Sequence, residues 1–182
     1  MLSSCNWILR SEGHAISYIA PSSSAVQRHP RPLNTAVLAG CDAMIVAGLA
    51  RRSAVNNDRM FMDVCAHVGA AVAAGGCALL PSHPFGVVFD LLEAIHVHLN
   101  NMQVHTVPIY FISPVAKSSI AYANIFGTWL CSTKAERLDL PEWPFSHHQM
   151  IAGSGLMHFE VLEIEESSST IFTPPPRLFF QT

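Results

Sequence analysis

Three stretches decide the fold: DAMIVAGL at residues 42–49, GGCALLPSHPFGVVFDLLEAI at 75–95 and VPIYFISPVAKSSIAYANIFGTWLC at 107–131. Each begins with a short apolar run, at 42–47, 75–80 and 107–113. Segments of helical length, 58–74, 86–101 and 114–130, alternate with them. Apolar strands alternating with amphipathic helices are the sequence form of a parallel sheet covered by helices. The fold class is therefore α/β. Such sheets have right-handed crossovers and place ligands at the carboxyl ends of their strands.

The helices carry their own punctuation. Asn57 or Asp58 is the expected N-cap of the first, because either side chain can accept an orphan amide. Phe61, Val64, Cys65, Val68, Ala71 and Val72 fall on one stripe of that helix, and Gly75 ends it. Val88, Leu91, Leu92 and Ile95 form the buried side of the second. Ser113-Pro114 opens the third, with Ile120, Ala123, Ile125, Phe126 and Trp129 facing inward.

Upstream, residues 4–10 (SCNWILR) and 15–20 (AISYIA) are strand candidates joined by the turn formers 11–14. Residues 21–32 are a proline- and serine-rich loop, and 34–40 a helical turn. Downstream the pattern is weaker. Residues 138–145 read as extended, 147–159 as a short helix, 160–169 as a solvated acidic loop and 170–173 as a last strand before three prolines. There is no internal repeat.

At 182 residues the chain can bury a sizeable core. Half of it is apolar, only 13% is charged, and the net charge of −3 leaves no basic footprint for nucleic acid. The five cysteines, at 5, 41, 65, 77 and 131, contain no C-x-x-C and read as reduced, small buried residues. The first residues show no basic region followed by an apolar one, so no signal peptide is expected. Residues 61–80 are apolar enough to suggest a membrane span, but Asp63, His67 and Gly75-Gly76 argue against it.

The chemistry-bearing residues form no known constellation. His96-Val97-His98 lies on a helix, where residues two apart point about 200° away from each other and cannot share one ion. His147-His148 meets the same objection, and these histidines read as exposed or capping. No H-E-x-x-H, G-x-S-x-G or phosphate-binding glycine motif is present. Gly86 opens a helix after a strand, and reads as a packing glycine rather than an anion site. The strand ends decide the matter. The run 42–47 finishes in Val46-Ala47 and the run 15–20 leads into Pro21, so neither end offers a carboxylate, histidine or cysteine. A hydrolase on this sheet would need one there to bind metal or move a proton.

The order of segments resembles the metallo-β-lactamase/β-CASP family of RNA 3′-end-processing nucleases and their inactive partners. Residues 3–10, 15–24, 42–49, 75–95, 107–131, 140–147 (LPEWPFSH) and 171–178 (IFTPPPRL) carry the resemblance, which covers nearly the full length. It implies a three-layer parallel-sheet β-CASP domain with helices on both faces, at residues 51–182. It also implies part of a metallo-β-lactamase β-sandwich at residues 1–50. In active members the strand matching 15–20 ends in a metal-bridging aspartate, where this chain has Pro21. The strand matching 42–47 ends in a glutamate or aspartate, where it has Ala47. Gly86-Val87-Val88-Phe89-Asp90-Leu91-Leu92 stands where active members tend to read G-R-A-Q-E-L-L. Proline and alanine can neither ligate metal nor transfer protons.

The resemblance thus implies a pseudo-nuclease without metal or cofactor, paired in the nucleus with a catalytic subunit of its own family. The process implied is small nuclear RNA 3′-end formation, with RNA contacted indirectly and no membrane involved. It also implies that the family's H-x-H-x-D-H, its later histidines and its dimerisation region fall outside these residues. Two other readings remain: an active metal-dependent RNA hydrolase with ligands elsewhere, and a small-molecule-binding α/β domain.

Overall fold

Gly13, at φ +80°, turns the chain between β1 (Trp7–Ser11) and β2 (His14–Ile19). A positive φ suits glycine because it has no Cβ to clash. The two strands pair antiparallel, with Ser11 opposite His14 and Trp7 opposite Tyr18. The computed structural model describes residues 5–22, 28, 30–47, 56–104, 107–125, 129–140, 142–153, 155–159 and 177–181. After a short 3-10 turn at Thr35–Leu38, β3 (Ala43–Val46) joins β2 in parallel and completes a three-stranded sheet of order β1-β2-β3. The run 42–47 therefore belongs to this first sheet and not with the runs at 75–80 and 107–113. Apolar periodicity fixes that a segment is a strand, but not which neighbour it pairs with.

The second sheet is wholly parallel, in the order β4-β7-β5-β6. Its strands are β4 (Ala78–Pro81), β5 (Ile109–Ile112), β6 (Leu156–Phe159) and β7 (Leu178–Gln181). The last strand in sequence slots between β4 and β5, so all four residues of β5 are buried. The helices are α1 (Asn57–Ala73), α2 (Val87–Asn101), α3 (Ala116–Ile125), α4 (Ser132–Asp139) and α5 (His147–Ala152). A mixed α/β architecture with a parallel sheet flanked by helices is the class that the sequence implies.

One face of this sheet builds the main core. Ile109, Phe111, Leu156, Leu178 and Phe180 pack there with Val68 and Val72 of α1, Val88, Phe89, Leu92 and Ile95 of α2, and Ile120 of α3. Burying a side chain of this size contributes about 1.5–3 kcal/mol, which makes this cluster the main stabilising element. On the opposite face Tyr110, Ile112 and Phe179 form a smaller cluster with Met157. Helices α1, α2, α3 and α5 add buried residues to the first face, and α4 packs the partly buried Leu138 against it. Among the described residues, that smaller cluster includes no helical side chain.

Several local expectations need correction. The N-cap of α1 is Asn56, whose side chain accepts from the Asp58 amide at 2.9 Å, one residue earlier than expected. Gly75 does end the helix, at φ +77°. Ile125 is 70% exposed, because the inward stripe of α3 runs through Ala116, Ser119, Ile120 and Ala123. The segment 147–159 is not one helix: Gly153 caps α5, and the chain re-enters the sheet as β6. The polar helix α4 overlaps the stretch expected to be extended, 138–145, only at Leu138 and Asp139. The strand expected at 170–173 lies outside the described residues, and the strand found is at Leu178–Gln181. Of the five cysteines, Cys65 and Cys131 are buried, Cys5 and Cys41 are half-buried and Cys77 is exposed, all as free thiols. Among the described residues no helix is long and apolar enough to cross a membrane.

Candidate functional site

The carboxyl ends of β2 and β3 lie side by side. Ile19 is level with Val46, and the Ala47 amide donates to the Ile19 carbonyl at 2.8 Å. This bond carries the parallel ladder one residue past β3, so Pro21 and Ala47 occupy the tips of two adjacent strands. The two positions that matter most in the sequence are thereby brought together, although 25 residues separate them. Asn6 fixes the exit of β2: its Oδ1 accepts from the Ala20 amide at 2.9 Å and lies 3.1 Å from the Ser22 hydroxyl. Pro21 stands in the bend that follows and is exposed. Its ring and the Ala47 methyl group offer no lone pair and no exchangeable proton.

The acidic side chain that the β2–β3 pair does possess is at the other end. Asp42 accepts from the Ala15 amide at 2.7 Å through Oδ2, while its own amide donates to the Ala15 carbonyl at 2.8 Å. That oxygen also lies 3.7 Å from His14 Nδ1. Asp42 is thus a clasp on the strand pair, remote from the tips. Among the described residues no group of three histidine, cysteine, aspartate or glutamate side chains is placed to hold a metal ion.

A second candidate is a cavity of about 580 Å³ along α1 and α2. Arg28 lies in it, 2.5 Å from the Asp58 carboxylate and with its guanidinium 3.7 Å from the centre of the Phe61 ring. Asp90, Glu93, Val97 and His98 line the α2 side. Glu93 is held from α4, with Lys134 Nζ at 2.5 Å and Arg137 Nη1 at 3.8 Å. The sequence reading missed this cluster, because Lys134 looks like a solvated lysine on a polar helix. The volume falls in the usual range of ligand sites. The Arg28, Asp58 and Glu93 charges, however, are already paired within the protein.

The histidines divide. His96, whose ring nitrogen lies 3.1 Å from the Asn100 amide, and His98, which packs over Gly69, point different ways along α2. Partial burial lowers the pKa of His96. His147 is neither exposed nor capping, contrary to expectation: it is 1% exposed, with the rings of Phe145 and Phe89 at 5.3 and 5.7 Å. Burial, with the nearby His148 and Lys134 charges adding to it, lowers its pKa to about 4. His148 instead stacks on Trp143 at 4.0 Å. Gly86 is not a packing glycine. A Cβ there would meet nothing, and its φ of +76° is what the turn into α2 requires.

No protein-family model matches the chain. Individual proteins do. The Integrator complex subunit 9 homolog of Nematostella vectensis is 43% identical over 182 residues, which is 97% of this chain and 27% of the relative. The chain is homologous to a segment of Integrator complex subunit 9. The Homo sapiens Integrator complex subunit 9 is 36% identical over 98% of the chain and 28% of its own length. The Integrator complex subunit 9 homolog of Dictyostelium discoideum is 34% identical over 82% of the chain and 21% of its own. The chain thus spans about a quarter of the length of the curated Integrator subunit 9 proteins it matches.

Proposed function

We propose that this chain is part of a non-catalytic subunit of the Integrator complex. In this reading residues 1–50 are part of a metallo-β-lactamase-like domain and residues 51–182 part of a β-CASP-like domain. The subunit scaffolds the catalytic endonuclease, Integrator subunit 11, in nuclear small nuclear RNA 3′-end processing and transcription termination. One observation carries the reading. The β2 and β3 tips, where the resemblance places acidic side chains, are adjacent in space and carry Pro21 and Ala47. A site of this kind works by metal activation of water or by proton transfer, and both need a ligating or titratable group.

The test pairs two measurements on a polypeptide that contains this segment within the full-length subunit. Co-purification with Integrator subunit 11 is expected, together with no metal-dependent cleavage of a stem-loop RNA by the subunit alone. Manganese- or zinc-dependent cleavage that survives inactivation of any co-purifying nuclease would overturn the proposal. The cavity along α1 and α2 favours a second reading, a small-molecule-binding α/β domain. A saturable thermal shift with a nucleotide or metabolite, abolished by Val97→Trp in the cavity wall, would establish it.

A further inference from the structure

Arg28 belongs to the connection between β2 and the 3-10 turn, yet its side chain ends in the groove between α1 and α2. Its guanidinium is 2.5 Å from the Asp58 carboxylate and lies 3.7 Å from the centre of the Phe61 ring. The arginine side chain is 19% exposed and the aspartate 55%, so the cation is the covered member of the pair. Phe61 and Cys65 are four residues apart on α1 and are therefore neighbours on one helix face. Cys65 lines the same groove as a free thiol and is 6% exposed.

A little further along, the chain is held by a different kind of contact. Pro30 forms an isolated antiparallel bridge with Leu130, and the Arg31 amide donates to the Trp129 carbonyl at 2.8 Å. Leu130 is part of the main core, and Pro30 and Pro32 each fix their own φ. This end is anchored by backbone bonds beside a buried side chain. The Arg28 end is not. An ion pair with a half-exposed member and a single cation–π contact are weak, and salt screens the first of them.

We propose that Arg28 is the releasable pin of a strap, anchored at Pro30 and Arg31, that closes the α1–α2 groove beside Cys65. Releasing the pin bares the Phe61 ring and the Asp58 carboxylate while the anchor stays in place. The strap therefore controls access to the groove without any change in the core. The inference does not depend on whether the subunit is catalytic.

Maleimide labelling of the native cysteines in the 182-residue chain, followed peptide by peptide, reads the device directly. Cys65 reports on the groove. Cys131, which is 3% exposed and stands beside the anchor at Leu130, reports on the strap as a whole and on the fold around it. Arg28→Ala should accelerate labelling of Cys65 about tenfold, the combined weight of an ion pair and a cation–π contact, and leave Cys131 unchanged. Arg28→Lys keeps the charge but loses the planar stacking, and should fall between the two. Raising the salt from about 50 mM to about 500 mM should accelerate Cys65 in the parent but not in Arg28→Ala. Equal Cys65 rates in the parent and Arg28→Ala overturn the proposal. So does a joint rise of Cys65 and Cys131, which would make Arg28 a general stabilising contact, and so does a salt response that persists without Arg28.

Discussion

Lys134 reaches from α4 to Glu93 on α2, with Nζ 2.5 Å from the carboxylate and 3.1 Å from the Pro144 carbonyl. The same ammonium lies 4.5 Å from the centre of the Phe145 ring. The lysine side chain is 10% exposed and the glutamate 25%, so the pair is shielded well enough to matter. It ties a polar helix with little apolar surface of its own to the main core. Lys134→Ala should destabilise the protein by about 3 kcal/mol in urea unfolding, because it leaves Glu93 with only the longer Arg137 contact. The double change Lys134→Met with Glu93→Gln should recover most of that loss. A single-variant cost below about 1 kcal/mol would mean that α4 is held by something else.

His147 makes stability depend on pH. Burial between Phe89 and Phe145 lowers its pKa from 6.5 to about 4, so the folded protein holds this ring neutral. Between those two values the unfolded chain binds more protons than the folded one. Its contribution is therefore complete above pH 6.5 and is lost progressively as the pH falls toward 4, after which there is no further loss. The total is on the order of 3 kcal/mol. The melting temperature of the parent should fall relative to that of His147→Leu as the pH is lowered through this window. Parallel curves would show that another group is responsible.

The parts of this fold that could be read in advance are those with strong local signals. The stripe Cys65–Val68–Val72 and the glycine stop at Gly75 define α1, and the run at 107–113 could only be a buried strand. Pairing was less legible. Nothing in AMIV at 43–46 distinguishes a partner in the hairpin sheet from one in the parallel sheet, because both present the same apolar alternation. Leu178–Gln181 was hidden by the three prolines before it, and α4 by a sequence whose inward position is a lysine. At the candidate site the identities of Pro21 and Ala47 were plain. Their adjacency was not, since it depends on the β2–β3 register across a loop of more than twenty residues.

Gly69 measures how tightly α1 and α2 approach each other. A Cβ built there would come within 2.8 Å of Met102 Sδ and 2.9 Å of His98 Nε2. Both atoms end mobile side chains, so Gly69→Ala can be accommodated by their rotation, and the helix-propensity gain of about 1 kcal/mol offsets the strain. That variant should unfold within about 1 kcal/mol of the parent. Gly69→Leu has no such escape and should lose about 1–3 kcal/mol. Equal stability of the alanine and leucine variants in denaturant titrations would show that the helices do not pack closely at this point.

Asp42 and Ala47 hold the two ends of the β2–β3 pair by different means, and the difference can be measured. At the amino end a carboxylate oxygen, 2.7 Å from the Ala15 amide, supplements the backbone bond from the Asp42 amide to the Ala15 carbonyl. At the carboxyl end the Ala47 amide bonds to the Ile19 carbonyl with no side-chain help. Asp42→Ala removes a charge-assisted bond whose acceptor is 56% exposed, so solvent screening limits the loss to about 1 kcal/mol. Amide exchange at Ala15 should therefore accelerate about fivefold, while Ala47 is unchanged. If both amides accelerated together, the pair would open as one unit and Asp42 would set the register that brings Pro21 beside Ala47. Acceleration at Ala15 alone means that the tips are positioned by the ladder itself, and that their chemistry can be altered by substitution without moving them.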